Sequence, residues 1–136
     1  MLDIQKVEQN LLNATGKFEY TVDDGVVIVP AYKYAHFDPA GGDFAVFVGR
    51  NTSVAHNETG VYIRFQKTPE FWGVDVPLEG DISASYVEYG NTWPTEAGTV
   101  TGYYSTAERK VFIQFDFMAR RNSVGRHIKG YCILSV

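Results

Sequence analysis

The residues able to do chemistry are few in this chain and far apart. They are His36, His56, His127, the single cysteine Cys132, and Asp116 on an alternating segment near the end. A metal site needs three or four converging ligands at a recognisable spacing. The histidines show none, and the pair His36 and Asp38 in a Pro/Gly loop is too common to define one, so neither a metal nor a cofactor is expected. Catalysis at Asp116 needs a second acid or base within reach. In the register deduced below His127 pairs with Arg120 beside Lys129, a setting that disfavours charged imidazole rather than building a site. Asp116, Tyr131 and His127 are the nameable catalytic candidates, and no second group is identified near them. Cys132 has no internal disulfide partner, and its strand position reads as a small core residue. There is no phosphate-cradling glycine loop, nucleophile elbow or His-Glu-x-x-His. Sequons at Asn13, Asn51 and Asn57 read as coincidence without a secretory signal.

The elements that must position these groups are strands. In the last third, a turn between Tyr104 and Val111 and another over Asn122 to Gly125 align three antiparallel segments. Their shared face falls into rows: Gly98, Phe117, Gly130; Val100, Phe115, Cys132; Gly102, Ile113, Leu134. Such coherence is expected where one face must be buried. Glycine inside a strand weakens it, and the row of Phe117 between two glycines reads as a ring covering them where the sheet bends. The opposite face carries the rows Thr99, Asp116, Tyr131; Thr101, Gln114, Ile133; and Tyr103, Phe112, Ser135. Hydroxyls, an amide and a carboxylate between aromatic rings suit a polar ligand such as a sugar, and they equally make a solvated sheet face.

Upstream, Ile4, Val7, Leu11 and Leu12 form one apolar stripe, predicting a helix over 3–14 with Gly16 as its C-cap. Phe18, Tyr20 and Val22 alternate up to Asp23, Asp24 and Gly25, a three-residue hairpin loop with glycine in the left-handed position. Val26 to Tyr34 follows as a strand covered on both faces at first, with Pro30 marking an edge or bulge. Phe37 to Asp43 is a loop. Phe44–Val48, Val61–Phe65, Ile82–Tyr89, Gly98–Tyr104, Val111–Arg120 and Arg126–Leu134 are strands. Thr68 to Gly80, interrupted by prolines and glycines around Phe71 and Trp72, is a long connection.

At 136 residues the chain suits one domain, 1–136, with the helix over 3–14 and antiparallel β over 17–135. Short connections between about eight strands predict an all-β meander closing into a barrel with a short N-terminal helix. The alternative is α+β, a curved antiparallel sheet packed on that helix. The alternation and the tyrosine-rich strands resemble those of calycin-like barrels. A net charge of -4 argues against nucleic acid, and no stretch is long or apolar enough to cross a membrane. The first residues lack the pattern of a signal peptide, so a cytoplasmic location is expected. Charge is uneven: seven acids and no base lie between Thr68 and Glu108, whereas Arg120, Arg121, Arg126 and Lys129 face Asp116 alone after Phe115. That asymmetry suits docking on an anionic ligand or another copy, with a small contribution from Phe71, Trp72 and Trp93, although burial of these rings beneath the domain's own loops is the expectation.

Three functions follow. The first is a non-catalytic protein holding a small apolar or aromatic ligand in a barrel cavity against Tyr104, Val111, Ile113, Phe115 and Phe117, with tyrosine hydroxyls, Tyr131 among the candidates, setting orientation. The second is an assembly module forming a homo-oligomer or docking a protein partner. The third is an enzyme on the same scaffold.

Overall fold

The computed structural model describes residues 12–37, 44–53, 57–66 and 69–136. Ten strands form one antiparallel sheet: β1 (Leu12–Asn13), β2 (Thr15–Val22), β3 (Tyr32–His36), β4 (Phe44–Arg50), β5 (Gly60–Gln66), β6 (Glu70–Pro77), β7 (Ile82–Glu88), β8 (Asn91–Ser105), β9 (Lys110–Arg121) and β10 (Val124–Ser135). Nine of them follow the path β1-β3-β4-β5-β7-β8-β9-β10-β2, and β6 pairs with β8 off this path. The sheet curls into a nearly closed barrel because β1 and β2 are one run interrupted only at Ala14. One edge of that run bonds β10 from Thr15 to Val22. The other bonds β3 through Leu12 and Asn13 and through the Ala14 amide to the Lys33 carbonyl at 3.0 Å, and bonds Ile28, in the segment before β3, through reciprocal Tyr20 and Ile28 bonds at 3.0 and 2.7 Å.

Among the described residues there is no helix, and none is long and apolar enough to cross a membrane. Residues 3–11 of the expected helix lie outside the described residues, while Leu12 and Asn13 are extended and paired. Gly16 is no helix cap: it sits inside β2 opposite Leu134 at φ 124, where a side chain would strike the Ile133 carbonyl.

The barrel interior is built by alternation. Along β9, Val111, Ile113, Phe115, Phe117 and Ala119 are buried, and the residues between them face outward. They meet Val100, Tyr104, Phe18, Tyr20, Ile128, Cys132 and Leu134 in one core. Rings interlock there: Phe47 and Tyr104 lie 5.6 Å apart, Phe65 and Tyr104 4.8 Å, and Phe18 and Phe115 5.8 Å. Gly49 leaves the space that the Phe18 ring fills; a Cβ there would meet the ring at 2.5 Å. Cys132 is fully buried, and burial pushes its thiol pKa up, away from reactivity. A second cluster, Val46, Val48, Tyr62 and Val87, lies on the other face of β4, β5 and β7. Beside it, buried Arg50 donates to the Tyr62 hydroxyl at 2.9 Å and to the carbonyls of Thr52 and Ser53 at 3.0 and 3.2 Å.

The register of β8 on β9 is the one the sequence implies: Gly98 opposite Phe117, Val100 opposite Phe115, Gly102 opposite Ile113. That of β9 on β10 differs by two residues. The connecting turn is Asn122 and Ser123 alone, with Asn122 at φ 57, and not the four residues ending at Gly125. Phe117 therefore faces Gly98 and Ile128, and Gly130 faces Phe115. A Cβ on Gly130 would meet the Tyr20 Cβ at 2.7 Å and the Phe115 ring at 2.8 Å, so Phe115, not Phe117, covers it.

Three further expectations are corrected. In the first hairpin Asp23 and Asp24 take the positive φ values, 53 and 57, and Gly25 does not. The segment after it is not covered on both faces, since Val26, Val27 and Val29 are 84%, 60% and 66% exposed. It touches the sheet only at Ile28 before β3 begins, with Pro30 in the gap. The expected connection over Thr68–Gly80 contains β6, whose prolines lie at or outside its ends and whose bulge between Gly73 and Val76 hides the alternation.

Gly102 combines φ 136 with a position where a Cβ would collide with the Phe112 carbonyl and approach the Ile113 Cα to 2.8 Å. Gly102→Ala is expected to destabilise the fold by roughly 2–4 kcal/mol, strain and overpacking together. Gly80→Ala, at φ 63 with nothing within 4 Å, should cost only about 1 kcal/mol. Equilibrium urea denaturation of both variants checks the difference.

Candidate ligand-binding face

The outward residues of β6, β8, β9, β10 and β2 form the surface with the most chemistry. Cross-strand pairing sets Trp72 beside Tyr103, Tyr103 beside Phe112, Phe112 beside Ile133 and Ile133 beside Lys17. Tyr103 and Phe112 stack with centroids 6.3 Å apart and planes 6° apart. All are open to solvent, Trp72 most of all at 80%. The next row holds Thr101, Gln114, Tyr131 and Glu19; the one after holds Thr99, Asp116, Lys129 and Thr21. Tyr131 and Lys129 thus replace the Ile133 and Tyr131 expected in those rows, as the two-residue shift requires.

The same shift brings together a pair that sequence reasoning missed. His127 lies opposite Met118, not Arg120. Its Nε2 sits 2.6 Å from Asp116 Oδ1. Its backbone amide donates to Asp23 Oδ1 at 2.8 Å, anchoring the base of the ring. Asp116 therefore does have a base beside it. The legible signal was Asn122, a residue suited to the left-handed conformation of a two-residue hairpin turn.

Two of the grooves on this face lie along β6 and β8. One, of about 250 Å³, is lined by Asp75, Thr99, Thr101, Gln114, Phe115, Asp116 and Lys129. Asp75 enters it from the β6 bulge with φ 49, its amide donating to Thr101 Oγ1 at 2.8 Å. The other, of about 480 Å³, lies at the barrel rim between Glu70, Phe71, Trp72, Tyr103, Tyr104, Ser105 and Glu108.

Of the residues expected to hold a ligand, Tyr104, Val111, Ile113, Phe115 and Phe117 converge inside the barrel, buried in the ring-packed core. Tyr131 is on the outer face and does not join them. Tyr104 alone also lines the rim groove. Of the three aromatic residues expected to be buried beneath loops, Phe71 packs against the core and Trp93 is buried under Arg126, whose guanidinium lies 5.1 Å from its ring centroid, whereas Trp72 is exposed. His36 belongs to β3 and pairs with Val46 instead of lying in a loop; Asp38 and His56 fall outside the described residues. Among the described residues no group of three or more His, Cys, Asp or Glu could hold a metal ion. Three of the four basic residues near the last hairpin find acids of their own chain: Arg120 with Glu96 at 2.6 Å, Arg126 with Glu88 and Asp23 at 3.7 Å each, Lys129 with Asp24 at 3.4 Å; Arg121 donates to the Thr92 carbonyl at 3.4 Å.

At one end of the barrel Tyr86 donates to Glu88 Oε2 at 2.8 Å, and Glu88 faces Arg126. Burial, then the Glu88 charge, pushes the Tyr20 phenol up to about 12. Burial and the hydrogen bond to Glu88 move Tyr86 the same way.

Comparison with protein-family models, with characterised proteins and with solved structures finds no match to this chain.

The tyrosines make alkaline stability a direct readout of that barrel end. Between the ordinary phenol value of 10.0 and about 12, unfolded Tyr20 loses its proton while folded Tyr20 keeps it. Its stabilising effect is therefore intact below pH 10 and lost as pH rises toward 12. Denaturation curves across that window should show a loss on the order of 2 kcal/mol, reduced in Tyr20→Phe.

Proposed function

We propose that the chain is a non-catalytic binding protein, built on a calycin-like barrel, that receives a small ligand with an aromatic or apolar face at the rim of β6 and β8. One observation carries this reading: the Trp72 ring stands 80% exposed beside a groove of about 480 Å³ that it shares with Phe71, Tyr103 and Tyr104. Ligand sites commonly measure ~300–1,000 Å³ and are lined by aromatic residues with a few polar groups. Glu70, Ser105 and Glu108 supply those groups, and their acidity disfavours anionic ligands. The interior site expected from sequence is favoured less, because Tyr104, Phe115 and Phe117 already contact other rings of the core. The rim groove keeps the expected ligand class and one expected residue, Tyr104, and moves the site outward.

A homo-oligomer is the second reading, favoured by the exposed run Val26, Val27 and Val29 alongside the β2 edge.

The test is titration with N-phenyl-1-naphthylamine, a neutral fluorescent aromatic. Energy transfer from tryptophan should accompany binding, and Trp72→Ala should weaken affinity about tenfold or more, as loss of a ring anchor does. The same variant should unfold within about 0.5 kcal/mol of the parent, being an exposed substitution. Equal affinity in the two proteins refutes the reading.

A further inference from the structure

We propose that the ligand of this face is a neutral oligosaccharide, its ring faces laid on Trp72, Tyr103 and Phe112 and its hydroxyls in the adjoining polar groove. The inference rests on the preceding reading that Trp72 receives ligand, and adds the ligand's chemistry.

Shape comes first. The three aromatic residues are direct neighbours on successive strands, about 4.8 Å apart, and the Tyr103 and Phe112 rings are parallel to within 6°. They make an open row of rings running across three strands on the outer surface of the sheet. A pyranose chain is itself a row of rings, with apolar C–H faces and hydroxyls along its edges.

Polarity comes second. In the two rows next to the rings along the strands, the groove of about 250 Å³ presents Thr99, Thr101, Gln114, Asp116 and Lys129, with Asp75 entering from β6. Hydroxyl and amide groups there both donate and accept, the carboxylates accept, and the ammonium donates. Sugar hydroxyls, each donor and acceptor, can satisfy that mixed set. A wholly apolar ligand covering the row's edge would strip water from these groups and offer no hydrogen bond in its place.

Charge narrows the class further. Glu70 and Glu108 edge the rim groove and Asp75 and Asp116 the polar one, against Lys129 alone. Lys129 is itself 3.4 Å from Asp24. An anionic polymer meets repulsion along the whole β6 side, whereas a neutral one is accepted.

The acceptors are also held in place before any ligand arrives. Asp75 occupies a left-handed backbone conformation at φ 49 in a bulge, a costly geometry for a residue that is not glycine, fixed by its amide bond to Thr101. Bulges re-aim side chains in this way. Asp116 is fixed by His127 at 2.6 Å. Groups ordered in advance lose less freedom on binding.

The test uses the intact chain, with calorimetry and Trp72 emission followed against cellohexaose, xylohexaose and mannohexaose, and hexagalacturonate as the anionic control. Binding of at least one neutral hexasaccharide is expected, with an emission shift. Gln114→Ala and Asp116→Asn, both exposed positions, should each weaken it about tenfold while leaving naphthylamine affinity within twofold. The proposal is overturned if no neutral hexasaccharide binds, if only hexagalacturonate does, or if Gln114→Ala and Asp116→Asn both bind as the parent does. Naphthylamine bound in a Trp72-dependent way without any sugar sinks the saccharide alone; failure of both probes removes the Trp72 site with it.

Discussion

A two-residue turn at Asn122 and Ser123 fixes what the outer face can be. Strand parity is set by burial: Val111, Ile113, Phe115 and Phe117 must point inward whatever their partners. Parity alone leaves β10 free to slide along β9 by two residues at a time, since every such slip keeps the same face buried. The tight turn removes that freedom. It sets Lys129 opposite Asp116 and Tyr131 opposite Gln114, and places the His127 ring within hydrogen-bonding distance of the Asp116 carboxylate. Core composition is insensitive to the slip, whereas surface chemistry is wholly determined by it.

This asymmetry explains what was legible in the sequence. The inward residues of the last three strands could be read because alternation reports parity, and the β8–β9 register because the turn after Ser105 is well bounded. The β9–β10 register could not, because Gly125 looked like a turn glycine while the left-handed position belongs to Asn122. The Asp116–His127 pair was hidden for that reason alone. The row through Trp72 was hidden differently: β6 is flanked by proline and broken by a bulge, so its alternation does not persist for a strand's length. Val26 to Val29 misled in the opposite sense, for an apolar run bonded to the sheet at a single residue gains no cover from it.

Function divides along the same line. The interior rings are committed to each other, and their contacts are those of a core. The outward rings of Trp72, Tyr103 and Phe112 share cross-strand neighbours and remain exposed to water. A sheet keeps such rings exposed at a solubility cost. Of the four bases that the uneven charge of the sequence suggested were free to dock elsewhere, Arg120, Arg126 and Lys129 are engaged with Glu96, Glu88, Asp23 and Asp24, and Arg121 donates to the Thr92 carbonyl. These exposed pairs contribute little individually, about 0–1 kcal/mol each, yet they orient the hairpin over the barrel end that Tyr86 and Trp93 occupy.

The run from Leu12 to Val22 bonds one edge to β3, its near neighbour in sequence, and the other to β10, where Thr15 meets Ser135 across a separation of 120 residues. Such a partner is available only after the rest of the chain has emerged from the ribosome. During synthesis this strand has a half-bonded edge, and the core residues Phe18 and Tyr20 on it lack their final neighbours. Loop-closure entropy over that distance slows the closing step. Until it occurs the open seam is a template for pairing with other chains. Barrel closure therefore depends on a pairing across 120 residues, and an unclosed seam is the place where pairing with other chains would compete.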